Sequence, residues 1–151
     1  MKKYRHGYTQ GVYDMFHIGH LNLLNHAKEQ CEYLTVGVNA DKLVWEYKHK
    51  YPVISENERR SIVGNIKAVD EAILSYTLDK IAQLKIIGFD AIFIGDDWKG
   101  NPRWEQTKKE LAKYGVDVVF LPHTEGVSST SLRRIEENRV SDVGSVDEAK
   151  I

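Results

Sequence analysis

Gly11-Val12-Tyr13-Asp14-Met15-Phe16-His17-Ile18-Gly19-His20 joins two stretches of different periodicity. Residues 4–11 before it read as a short extended run. After it, Ile18, Leu21, Leu24, Ala27 and Cys31 recur at helical spacing. A strand handing over to a helix in this way is the opening unit of an alternating α/β chain. Ligand chemistry also belongs at such a junction, because a helix N-terminus offers free amide donors and a dipole that favours phosphate. His17 and His20, three apart, fall on one face of a helical turn. Gly19 removes a side chain and lets a bulky ligand approach closely. Together they suit a polyphosphate whose oxygens gain charge. Capping and surface histidines are the plainer reading. A zinc pair is a third, with only Asp14 as a nearby carboxylate and Cys31 the single cysteine of the chain.

Working outward, further β-branched runs stand at 33–39, 71–75, 91–95 and 117–121, with amphipathic segments between them. Ser55 followed by Glu58 predicts a capping box that opens a helix carrying Ile62, Val63 and Ile66. Residues 78–87 and 103–114 predict two more helices, the second closed by Gly115, and 128–138 predicts the last. Residues 42–51 look like an irregular loop, and Cys31 like a buried apolar residue of the first helix. Strands alternating with helices imply right-handed βαβ crossovers and a Rossmann-like three-layer α/β/α fold with a five-stranded parallel sheet. Ligands in such sheets sit beyond the C-terminal strand ends, at the switch in strand order. Residues 1–139 read as one catalytic domain and 140–151 as a polar tail.

Composition narrows the class. The 21 basic and 22 acidic side chains nearly cancel, which argues against a nucleic-acid binder working through a basic surface. One cysteine excludes an internal disulfide, no signal peptide opens the chain, and no apolar run is long enough to span a membrane. A cytoplasmic protein with no membrane or nucleic-acid partner is expected.

Three further segments carry chemistry. In Pro122-His123-Thr124-Glu125-Gly126-Val127-Ser128-Ser129-Thr130, the hydroxyls of Thr124, Ser128 and Ser129 and the helix-start amides suit phosphate oxygens. An ordinary capped helix start explains the same residues. Lys48-His49-Lys50 places two flexible cations where they can neutralise a nucleophile and a phosphate, or simply form a solvated charge run. Gly95-Asp96-Asp97-Trp98 follows the most apolar strand. A carboxylate there can accept from a base amino group or a ribose hydroxyl, serve a metal, or make a turn. His6, His26, His49, Trp45 and Trp104 read as surface or packing residues.

His17-Ile18-Gly19-His20 resembles the His-x-Gly-His signature of the nucleotidylyltransferase superfamily, and residues 8–134 resemble the cytidylyltransferases that activate small phospho-alcohols. Thr124-Glu125-Gly126-Val127-Ser128 and Gly95-Asp96-Asp97-Trp98 are similar to motifs of the glycerol-phosphate type. The resemblance implies transfer of CMP from CTP to a small phospho-alcohol, glycerol-3-phosphate first, with Mg2+ accompanying CTP, by a homodimer. It implies catalytic roles for His17, His20, Lys48 and Lys50. Gly11, Val12, Tyr13, Gly19, Asp97, His123, Thr124, Ser128, Ser129 and Arg133 would meet the nucleotide. Asp14, Lys48, Lys50, Arg59 and Lys67 would meet the acceptor, and no residue is assigned to a resident metal. The chain departs from the pattern in three places. His123 replaces the family arginine, Val12 a threonine and Lys67 an arginine, while Arg133, in Ser128-Ser129-Thr130-Ser131-Leu132-Arg133, resembles a phosphate-binding arginine of adenylyltransferase relatives. Other CTP-dependent acceptors (choline, ethanolamine or sugar phosphates), an ATP-using adenylyltransferase and a catalytically silent nucleotide-binding module are the competing readings.

Overall fold

A computed structural model describes residues 2–122. Strands β1 (Tyr4–Gly11), β2 (Cys31–Asn39), β3 (Glu71–Ser75), β4 (Ala91–Gly95) and β5 (Asp117–Leu121) form a parallel sheet in the order β3-β2-β1-β4-β5. Helices α1 (Ile18–Gln30), α2 (Asp41–Lys48), α3 (Glu56–Gly64), α4 (Lys80–Ile87) and α5 (Pro102–Ala112) connect them. Alternation along the strands sends side chains to two cores. Leu34, Val36, Val38 and Phe93 meet Leu24 and Ala27 of α1 and Val63 of α3 on one face. Ile92, Ile94 and Val118 meet Ile81 and Leu84 of α4 and Leu111 of α5 on the other. The fold is therefore the three-layer Rossmann-like sandwich that the alternation implies.

The strand order places the switch at β1, whose neighbours are β2 on one side and β4 on the other. β1 pairs with β2 as far as Gly11–Val38, but with β4 only at Gly7–Ala91 and Tyr8–Ile92. Beyond that point only the Thr9 hydroxyl bridges the two, donating to the Phe93 carbonyl at 2.8 Å. The sheet opens there, at the C-terminal strand ends.

Four local expectations need correction. Residues 42–51 are not a loop, because Asp41–Lys48 is the helix α2. It carries no capping side chain of its own at Ala40 and ends on His49 in the left-handed region, where the usual signal would be glycine. Its start is capped from outside. Glu56 accepts from the Asp41 amide at 2.7 Å and Asp41 accepts from the Glu56 amide, so α2 and α3 cap each other. Ser55 does precede α3, but its hydroxyl donates to Glu58 at 3.0 Å instead of capping the backbone. Cys31 opens β2 and does not belong to α1, although it is fully buried as expected. The last helix before β5 ends at Ala112, three residues ahead of Gly115. The segment predicted as a final helix, 128–138, and the tail lie outside the described residues.

Candidate active site

The turn between β1 and α1 is built from strained backbone held by buried ionic groups. Tyr13 and Met15 both take positive φ (56° and 50°), a conformation that L residues adopt at a cost of roughly 1–3 kcal/mol unless their surroundings fix it. The fixing groups are visible. Asp14 is buried and accepts from the amides of Val53 at 2.8 Å and Ile54 at 2.9 Å. Gly11, without a side chain, leaves room for the Tyr13 ring, which would lie 3.1 Å from a Cβ at that position.

Arg59 is the second anchor. Its guanidinium is buried and donates to the carbonyls of Ile54, Val12 and Asn39, each at 2.8 Å, and to the Asp41 carboxylate. These bonds tie the turn, the end of β2 and the starts of α2 and α3 into one unit. Arg59 therefore stands behind the site wall and presents no donor to an acceptor in this structure, which replaces the direct contact implied by the resemblance. Desolvating a guanidinium is tolerable only because all its bonds are made inside the protein.

The two histidines form a capping box of their own. His17 is the N-cap of α1, and its Nδ1 accepts from the Gly19 amide at 3.0 Å. His20 Nδ1 accepts from the His17 amide at 3.2 Å. The rings stack with centroids 3.9 Å apart. Because each Nδ1 is an acceptor, each proton sits on Nε2, and both imidazoles are neutral donors through that atom. Burial pushes the His20 pKa down to about 4, with the neighbouring His17 adding to the fall and Asp14 opposing it. Burial lowers His17 as well.

A cavity of about 640 Å³ opens beside this turn. Gly11, Val12, Tyr13, Asp14, Gly19, His20, Lys48, Lys50 and Asp97 line it, so the structure brings together most of the expected residues that it describes. His17 and Arg59 are not among them, and neither is Lys67. Lys67 is exposed in the turn between α3 and β3, at the opposite end of the sheet from the cavity. His123, Thr124, Ser128, Ser129 and Arg133 lie outside the described residues.

Lys80, Trp104 and Tyr47 are among the lining residues that went unread or were set aside in the sequence. Lys80 opens α4 behind the Asp79 cap, donates to the Leu78 carbonyl at 2.9 Å and stands 5.6 Å from the centre of the Trp104 ring. Burial lowers its pKa to about 8, Asp79 opposing this and Arg103 adding to it. A lysine at the first helical position after a strand's C-terminal end was the available signal, since ligands gather there. His49 and Trp45 also belong to the site's architecture. The His49 ring meets Trp45 edge-on, Trp45 stacks on Tyr51 at 5.1 Å, and the lysines on either side of His49 line the cavity.

The cytidylyltransferase-like family model matches residues 8–135. The chain belongs to this family. It is 35% identical over 127 residues to a glycerol-3-phosphate cytidylyltransferase of Bacillus spizizenii, covering 83% of this chain and 92% of the relative. It is 34% identical over 126 residues to the enzyme of that name from Bacillus subtilis, with the same coverage. Among solved structures, the lipopolysaccharide core biosynthesis protein of Thermoplasma volcanium is similar at a TM-score of 0.67 and 26% identity, over 80% of this chain and 97% of that one. Pantothenate synthetase of Thermus thermophilus shares the fold alone, with a TM-score of 0.60 at 15% identity, over 99% of this chain and 75% of that one. This family member is an enzyme of the nucleotidyltransferase class. Among the described residues no helix is long and apolar enough to cross a membrane.

Proposed function

We propose that the chain transfers CMP from CTP to glycerol-3-phosphate, giving CDP-glycerol and pyrophosphate. A phosphate oxygen of the acceptor attacks the α-phosphorus in line. The new P–O bond forms as the bond to the β-phosphate oxygen breaks, and pyrophosphate leaves with that oxygen. No residue forms a covalent intermediate. The observation that carries the reading is a pair of fixed, neutral imidazoles, of which His20 lines the cavity with Lys48, Lys50 and Lys80 and His17 stacks on it. Neutral donors held by backbone stabilise charge growing on α-phosphoryl oxygens without reorganising, which is where electrostatic catalysis is most effective. The lysines lower the repulsion between two anionic substrates. Asp97, on the β4 side, is suited to the nucleotide.

Mg2+ fits this site as a companion of the triphosphate. No group of three potential ligands occurs among the described residues, and both Asp14 oxygens accept from amides. Magnesium needs few protein ligands when phosphates supply the rest, and Asp97 is a carboxylate lining the cavity. When bound, it offsets triphosphate charge. A homodimer goes with this reading and is checked by sedimentation.

The test is pyrophosphate release with CTP or ATP, Mg2+ and a panel of acceptors. Release with CTP and glycerol-3-phosphate, and not with ATP, is expected. Preference for choline or ethanolamine phosphate would remove the acceptor assignment. CTP binding without release on any acceptor would make the chain a silent nucleotide-binding module.

A further inference from the structure

A hydrogen-bond relay with a fixed direction runs along the wall of the cavity. Gln10 Nε2 lies 2.9 Å from the Thr77 carbonyl and 2.7 Å from Asn39 Oδ1. A carbonyl can only accept, so Gln10 presents its amide nitrogen on this side and donates to Asn39 Oδ1. The Asn39 amide nitrogen is then turned the other way, and it donates to the Tyr47 hydroxyl at 3.1 Å. Tyr47 therefore accepts from Asn39, and its own hydrogen must point elsewhere. No described residue takes it. Gln10, Asn39 and Tyr47 all line the cavity, together with Lys48 and Lys50.

Two features keep Tyr47 in that role. Burial raises its pKa, so the hydroxyl keeps its proton at neutral pH. Lys48 Nζ stands 5.8 Å from the centre of its ring, which places a neutral donor beside a cation. Tyr47 also sits on the β2 side of the sheet opening, whereas Asp97 sits at the end of β4. A neutral donor next to cations is matched to the uncharged end of a ligand whose anionic end the lysines hold.

We infer that the Tyr47 hydroxyl donates to an alcohol oxygen of the acceptor and so selects a hydroxylated phospho-alcohol. This rests on the cytidylyl-transfer reading above. A site built to bond a substrate hydroxyl discriminates against the analogue that lacks it, because its own polar group is left unpaired.

The experiment compares glycerol-3-phosphate as acceptor with propyl phosphate, which has no free hydroxyl, as its competitor. The proteins are wild type, Tyr47→Phe, Asn39→Asp and the double variant, each checked for its melting temperature. Tyr47→Phe deletes the hydroxyl. Asn39→Asp keeps it but draws its hydrogen onto a carboxylate and away from the cavity. Both single variants should lose about 10-fold in kcat/KM for glycerol-3-phosphate, the size expected for one such bond. The double variant should be no worse, the inhibition constant of propyl phosphate should stay within about twofold, and KM for CTP should not move. An unchanged kcat/KM in a folded Tyr47→Phe protein would overturn the inference. So would an equal loss for both ligands or a weakened KM for CTP. Failure of the wild type to use glycerol-3-phosphate at all would instead remove the reading on which it rests.

Discussion

The turn from Gly11 to His20 and the segment from Tyr47 to Tyr51 face one cavity, but they are held in different ways. In the turn, every polar anchor is a hydrogen bond that is at least partly buried. Asp14 is fixed by two amides, Arg59 by three carbonyls and a carboxylate, and the histidines by the backbone of α1. In the second segment the Asn39 amide holds the Tyr47 hydroxyl, and the other contacts described are between rings, with Trp45 and Tyr51 exposed and His49 in the left-handed region. Rigidity is concentrated where charge must be stabilised at the moment of reaction. Lys48 and Lys50, the cations proposed to meet the substrates, sit on the softer support. The Asp14 and Arg59 bonds link the two, because Val53 and Ile54 follow directly after the lysine segment.

Cutting that link should have the largest effect. Arg59→Ala strands the Asp41 carboxylate and three carbonyls, and is expected to cost about 3–5 kcal/mol of stability. Urea unfolding measures it. A loss below about 1 kcal/mol would mean that the turn holds its shape without the guanidinium. Next comes chemistry at the rigid end. His20→Ala should lower kcat by roughly 10²- to 10³-fold, the size of losing one preorganised donor, with a smaller change in KM for CTP. Wild-type turnover would contradict the donor role.

The charge state of each region gives two sharper tests. His20 should titrate near pH 4 by NMR and not near its ordinary value of about 6.5, because burial disfavours the imidazolium. Since the unfolded chain binds that proton more readily, His20 makes the fold less stable as pH falls from about 6.5 toward 4, and costs nothing above that window. Burial lowers Lys80 in the same direction, from a higher starting value. It is charged below about pH 8 and neutral above it, so kcat/KM for the acceptor should fall as pH rises through that value. Lys80→Arg should abolish that alkaline fall, and persistence of the fall would assign it to another group. The smallest effect belongs to His49→Gly. Relief of the left-handed residue offsets the lost ring contact, and stability should change by less than about 1 kcal/mol in thermal unfolding.

The same contrast explains what was legible in the sequence. Strands β1, β3, β4 and β5 carry the expected bounds, because short apolar runs are a local signal in β3, β4 and β5 and the motif that follows marks the end of β1. The turn and its histidines were readable for the same reason, since motif and function coincide over ten residues. α2 was hidden because its caps arrive from α3, fifteen residues away, and no sequence window contains them. Arg59 was misread for a related cause. The resemblance assigned it to the acceptor, and only tertiary structure supplies its four partners inside the protein. Lys67 followed a resemblance that this chain's fold does not carry to the cavity. Tyr47 carries no motif, and its role emerges only from the direction of a relay that joins three strands' C-terminal ends.

The most direct test of the central claim is the product formed from an equimolar mixture of CTP and ATP with Mg2+ and glycerol-3-phosphate, followed by phosphorus NMR. The account predicts one new diphosphate, CDP-glycerol, in equal amount with pyrophosphate and with ATP intact. An adenylyl product, or pyrophosphate without any nucleotide-linked glycerol, would contradict it.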